Sequence, residues 1–280
     1  MKLGILTDST CDLPGHLLAP YDIEVVPAIL VIDGQSHLDG SDISREDFYT
    51  RLPLMKTAPT TAMPAPGEFS AAMQRLLERG CTQVLALHPA EPLTGTINGS
   101  RLAARDFGGR VTVYDSGSLS LGLGFQVLAA AAAAADGAAL DEALAAAQGV
   151  RSRTTMRAVL DTVEYVRRSG RVPAAVASLG SLLRIKPFIE LQEGQVRAIG
   201  VVRTTQQATE KVFSGLLSLG KLEQLAILHT NAEPRARGLL DRLMRAGRMS
   251  LPREILIVNV TPAIGAHVGP NGLGFAVVTK

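Results

Sequence analysis

Four times in the first half of the chain, an apolar stretch runs into a cluster of small polar residues. Leu3–Leu6 ends in Thr7-Asp8-Ser9-Thr10. Val25–Ile32 leads, after a helix, to Thr57-Ala58-Pro59-Thr60-Thr61. Val84–Leu87 ends in His88 and then Leu93-Thr94-Gly95-Thr96, and Val111–Tyr114 ends in Asp115-Ser116-Gly117-Ser118. If the apolar stretches are parallel strands, these hydroxyls and carboxylates gather at the carboxyl edge of one sheet, where open α/β sheets place their ligands. The clusters offer hydroxyls and backbone N–H groups, with no lysine–glycine phosphate loop. That donor set suits gentle holding of an anionic head group. Far downstream, His267 stands in Ile264-Gly265-Ala266-His267-Val268-Gly269-Pro270, where glycines let backbone approach a ligand. It is the strongest single candidate, against the alternative of a buried neutral histidine making one structural bond.

Each residue also has a local explanation. Thr61, between Pro59 and Pro64, is expected in a rigid loop, where threonine commonly bonds its own backbone or caps the next helix. Thr94 stands at a helix start; capping and attraction of a carboxylate are compatible there. Asp8 and Asp115 end strands, where aspartate commonly shapes the turn. Arg171 and Arg203 read by default as solvated arginines. The five histidines have no metal-ligand spacing. No Gly-x-Ser-x-Gly elbow is present, and neither Cys11 nor Cys81 has a partner base, so an acyl-transfer nucleophile is unsupported.

The elements that would position these residues alternate in the first half. Helices are expected around Pro14–Ala19, from the Ser44 cap through Arg51, over Phe69–Arg79 after Pro66-Gly67-Glu68, over Thr94–Arg105, and through alanine-rich segments to Gln148. Strands Leu3–Leu6, Ile23–Ile32, Gln83–Leu87 and Val111–Tyr114 separate them, which implies a parallel sheet with helices on both faces. The rhythm then changes. Strand Met156–Leu160, helix Val163–Arg168 and helix Val176–Leu183 precede a hairpin, Ile185–Gln192 and Gln195–Val202, turning at Glu193-Gly194. Helix Thr204–Leu217, strand Leu225–His229 and helix Arg235–Ala246 follow. Strands Glu254–Val260 and Phe275–Val278 flank a Gly/Pro-rich loop. The fold class is therefore α/β: a parallel-sheet N-terminal domain, residues 1–150, and an α+β C-terminal domain, residues 151–280, in intimate contact.

Composition narrows the function. Of 280 residues, 46% are hydrophobic, 19% charged and 4% aromatic, with a net charge of +2, so nucleic acid and anionic membrane surfaces are not the expected partners. The separated cysteines read as reduced thiols of a cytoplasmic protein. No signal-peptide layout opens the chain, and Leu121–Ala135 is too short and alanine-heavy to span a bilayer, so no integral membrane segment is expected.

Taken in order, several segments resemble the DegV family of bacterial fatty-acid-binding proteins. They are Thr7-Asp8-Ser9-Thr10-Cys11-Asp12-Leu13, Thr61 to Phe69, Leu93-Thr94-Gly95-Thr96, Asp115-Ser116, Ser169-Gly170-Arg171-Val172, Ile185-Lys186-Pro187 and His267-Val268-Gly269-Pro270-Asn271-Gly272. The resemblance implies a long-chain fatty acid buried between two domains, its carboxyl group meeting Thr61, Thr94 and His267, with Asp8, Ser9 and Arg171 as outer candidates. It also implies a lipid-binding carrier rather than an enzyme, with no cofactor, that hands its acid to a separate fatty-acid kinase for acyl-phosphate and phospholipid synthesis. Arg203 occupies a place where the family carries a basic residue that meets the kinase. Ala62, Met63, Ala65, Thr94 and Asn271 depart from the family pattern. The rival reading is a small-molecule kinase or phosphate-transfer enzyme of a dihydroxyacetone-kinase-like fold, weakened by the missing phosphate cradle.

Overall fold

The computed structural model describes residues 2–170, 185–247 and 250–280. Strands β1 (Leu3–Asp8), β2 (Glu24–Val26), β6 (Gln83–His88) and β7 (Val111–Asp115) form a parallel sheet in the order β2-β1-β6-β7. β1 and β6 read as continuous apolar runs because both faces are covered. Leu6, Val84 and Ala86 pack under α3 (Pro66–Glu78) and α4 (Thr96–Ala104). Ile5, Leu85 and Leu87 pack against α5 (Ser120–Ala135) and α6 (Leu140–Arg151) on the other side.

The second half builds a six-stranded sheet from β8 (Thr154–Val159), β9 (Lys186–Gln192), β10 (Gln195–Val202), β11 (Leu222–His229), β12 (Ile255–Asn259) and β13 (Leu273–Thr279). Its order is β10-β9-β8-β13-β11-β12, antiparallel except between β11 and β12. Helices α8 (Thr205–Leu217) and α9 (Glu233–Ala246) cover its outer face, against Phe188, Ile227 and Phe275. The inner face meets α5, so one core joins Leu85 and Leu87 through Leu121–Val127 to Ala226, Val258 and Ala276. Two glycines allow that approach. A Cβ on Gly124 would stand 2.6 Å from the Cys11 carbonyl oxygen, and one on Gly122 would collide with the Met156 sulfur and Ser118 hydroxyl.

Two expectations are corrected. The stretch Ile23–Ile32 is not one strand. Pro27 lacks an N–H for the ladder, and after it the chain leaves the parallel sheet as β3 (Ile29–Ile32), which pairs antiparallel with β4 (Gln35–Leu38) and β5 (Thr60–Ala62). Thr61 therefore lies on a strand opposite Leu30, rather than in a loop at the parallel sheet's edge. The Gly/Pro-rich segment before β13 likewise contains a helix, α10 (Pro262–Val268), with Pro262 in its first turn and His267 in its last. Between these lie α1 (Gly15–Leu18), α2 (Arg45–Arg51), capped by the Ser44 hydroxyl accepting from the Asp47 N–H, and α7 (Glu164–Ser169). The expected helix Val176–Leu183 and Arg171 lie outside the described residues.

Candidate functional site

A cavity of about 400 Å³ lies between the parallel sheet's carboxyl edge, the small sheet and the inner face of the six-stranded sheet. Strand register explains its apolar body. Met156 stands opposite Leu191, and Ala158 opposite Ile189 and Gly274, while Gly274 also faces Leu228, so all share one face. Alanine and glycine at the centre leave room that larger side chains would fill. Arg157 is the one charged side chain besides histidine among the described lining residues; alternation turns it to the opposite face, where its Nε donates to Glu190 Oε1 at 2.7 Å.

The uncharged polar side chains and the histidine that line it are Thr10, Thr61, Thr94, Thr96, Ser120, Ser169, Thr230 and His267. Strand β5 and helix α10 bring residues 206 positions apart together: Thr61 Oγ1 and His267 Nε2 are 2.9 Å apart. Helix α10 is fixed from below, since the Tyr49 hydroxyl donates to the Val260 carbonyl at 2.8 Å and a Cβ on Gly265 would meet the Tyr49 ring. Thr94 Oγ1 lies 2.8 Å from Thr96 Oγ1 and accepts from the Thr96 N–H at 3.2 Å, at the amino end of α4. If His267 carries its proton on Nε2 and donates to Thr61, the Thr61 hydroxyl proton is released toward the cavity. If Thr96 donates to Thr94, the Thr94 proton is released in the same way. A neutral hydroxyl donor on a strand and another at a helix amino end are groups to which a carboxylate can bond without a cation.

Thr61, Thr94 and His267 are thus brought to one cavity. The outer candidates are placed elsewhere. Asp8 accepts from the Thr10 N–H at 3.0 Å and from the Thr10 hydroxyl, and lies 2.8 Å from His88 Nδ1, itself edge-on to Phe69. Ser9 donates to Asp39 and accepts from the Ala28 N–H at 3.0 Å, which ties down the break between β2 and β3. Arg203 lies exposed at the end of β10, away from the cavity, before a reciprocal cap between Thr204 and Gln207. Cys11 is buried and its thiol is pushed up to about 12, chiefly by burial, which leaves it inert.

Sequence reasoning missed Ser120 and Thr96 as lining groups, although Thr96 lies in the Leu93–Thr96 cluster and Ser120 two residues beyond the Asp115–Ser118 cluster. It also missed Met63, which packs on Gly95 and Gly99 and stays 43% exposed at the cavity's rim. Nothing local marked the inner face of the second sheet as a cavity wall. Among the described residues there is no cluster able to hold a metal, and no helix long and apolar enough to cross a membrane.

Fold and site together define an α/β protein with a largely apolar cavity between its sheets, bordered by neutral hydroxyls and a histidine. The chain belongs to the DegV family: that family's model, described as an uncharacterised protein family, matches residues 2–280. A DegV domain-containing protein of Streptomyces coelicolor is 33% identical over 280 residues, covering 99% of each chain. A solved Thermus thermophilus DegV family protein, described by its fatty acid binding, superposes with a TM-score of 0.91 at 31% identity over 100% of both chains. A Thermotoga maritima protein whose structure is described as revealing a fatty acid binding function gives 0.87 at 25% identity, again over 100% of both.

Proposed function

We propose that this chain is a carrier that encloses one long-chain fatty acid and presents its carboxylate to a separate kinase. The observation that carries the reading is the Thr61–His267 pair, 2.9 Å apart, at the border of a cavity lined mainly by apolar side chains. In the proposed division, residues 1–150 supply the hydroxyls and residues 151–280 complete the pocket with the inner sheet face and His267.

Tail burial supplies the affinity. Each buried methylene contributes about 0.8 kcal/mol, so roughly ten give about 8 kcal/mol before association costs are subtracted. The head group then needs orientation more than attraction. Neutral donors orient a carboxylate while leaving it nucleophilic enough to attack a phosphoryl group, whereas a lysine clamp would hold it back. The aliphatic lining favours an acyl chain over the phosphate ester of the rival kinase reading. The solved relatives described as binding fatty acids support the same ligand class. In this reading the kinase docks at Arg203, and the carrier works in the cytoplasm, upstream of phospholipid synthesis.

The test is extraction and mass spectrometry of protein purified from cells, followed by titration with palmitate and oleate. One fatty acid per chain is expected. An empty protein that binds neither acid overturns the proposal.

A further inference from the structure

Beside the cavity, a single buried carboxylate ties together elements from both ends of the chain. Asp12 is 1% exposed, accepts two hydrogen bonds and pairs with Arg45. Its Oδ1 receives the Thr261 N–H at 2.9 Å and forms an ion pair with Arg45 Nη1 at 2.9 Å, and its Oδ2 receives the Ser120 hydroxyl at 2.6 Å. Ser120 is the first residue of α5 and lines the cavity; Thr261 is the amino cap of α10, the helix that carries His267. Asp12 and Ser120 both hold left-handed backbone, φ 58° and φ 48°. Such conformations cost free energy in residues with a Cβ, and they concentrate where surrounding structure enforces a function. Here two strained residues are bonded directly to each other.

We propose that Asp12 is the positioning residue of the head-group end, its carboxylate holding the starts of α5 and α10 so that Ser120 and His267 face the ligand correctly. The inference rests on the fatty-acid reading of the cavity. By taking the Ser120 proton, Asp12 leaves that oxygen as an acceptor only. A ligand carboxylate is thereby turned away from Ser120 and toward the donors Thr61 and Thr94. The charge on Asp12 is needed, because a neutral acid would give its own proton to a neighbour and loosen Arg45. Burial raises this carboxyl from its ordinary value to about 6, with Asp39 adding to the rise and Arg45, Ser120 and Thr261 opposing it. The other titratable groups interacting with it are Tyr49 of α2 and Cys11 on its own segment, Cys11 interacting with Asp8 as well; α10 carries His267 at its far end.

The test compares myristate affinity of the wild type and Asp12→Asn from pH 5 to 7.5. Titration of the acid itself is common to both proteins and cancels in the ratio. The variant should bind about tenfold more weakly at pH 7.5, the equivalent of one lost charge-assisted hydrogen bond, with the ratio falling toward one at pH 5. A ratio near one throughout, or a deficit independent of pH, overturns the inference. NMR of the wild type supplies a readout that does not depend on the variant's folding. The Thr261 amide proton should shift with a midpoint near pH 6, and a flat response overturns the inference. If the wild type binds none of myristate, palmitate and oleate at any pH, the fatty-acid reading falls and takes this inference with it. Normal binding with a pH-independent ratio overturns the Asp12 role alone.

Discussion

At the scale of single residues, the proposed carrier would rely on proton direction rather than net charge. With the His267 proton on Nε2, His267 donates to Thr61 across their 2.9 Å contact and the Thr61 proton is directed to a bound carboxylate. Thr61→Val keeps the shape and removes the donor; a lost hydrogen bond to a charged group is worth about 1.5–3 kcal/mol, so fatty-acid affinity should fall roughly 10- to 100-fold by calorimetry. His267→Gln, which retains an N–H, should lose less than His267→Ala. Equal losses in the two histidine variants would show that the histidine packs without donating. Asp12 carries a second expectation, about stability. Its carboxyl is raised from 3.8 to about 6 by burial, so the native state binds its proton more tightly than the unfolded chain does. That contribution to stability is fully present below about pH 4 and is lost as pH rises through about 6. Asp12→Asn should therefore gain stability relative to wild type between pH 4 and pH 7.5, by an amount on the order of 3 kcal/mol. Urea unfolding at the two pH values checks the sign, which is opposite to the expected effect on binding.

At the scale of elements, α10 is held by close packing. Gly265 sits where any Cβ would run into the Tyr49 ring, and Tyr49 in turn donates to Val260 just before the helix. Gly265→Ala should force the helix or the ring to move; overpacking of this kind costs about 1–3 kcal/mol. The expected result is a lower melting temperature together with weaker acid binding, because His267 rides on the same helix. An unchanged melting curve with normal binding would mean that the Tyr49 ring swings aside freely. The hairpin β9–β10 makes a comparable local contact at its tip, where the Gly194 N–H donates to the Gly117 carbonyl at 2.7 Å and brings Leu191 and Val196 over the cavity.

At the scale of the molecule, cavity and core are one construction. The two sheets share α5, so a ligand filling the space beside it should stabilise both sheets together. Fatty acid at one hundred times its dissociation constant should add about 2.7 kcal/mol to unfolding, seen as a single cooperative transition moving upward in temperature. Two separated transitions, with only one moving, would show that the halves unfold independently. Arg203 lies away from the cavity on the outer strand, its backbone N–H fixed by Gln207 at 3.0 Å. Arg203→Ala should leave fatty-acid binding unchanged and slow kinase-dependent acyl-phosphate formation. The defect should shrink at high kinase concentration, as for a lost docking contact.

Much of this architecture is local information. The β1, β6 and β7 runs, the Ser44 and Thr204 caps and the Glu193-Gly194 turn follow from short-range rules, and each forms where the residues direct it. So does the grouping of hydroxyls after the strands, which brought Thr94 into view. Pro27 was equally visible, but its effect was not. A proline says that a ladder must stop, while the sheet that the next strand joins depends on which edges are open elsewhere. That choice moved Thr61 onto β5 and within reach of a histidine 206 residues away. The helix carrying His267 was hidden by glycines that read as loop, because tight packing on Tyr49, absent from any local window, needs a glycine at 265. Nothing in the local sequence set Asp12 apart, for the same reason. Hydroxyls, turns and caps are properties of neighbours in the chain; a cavity wall and a buried carboxylate with three distant partners exist only once the two sheets have closed on α5.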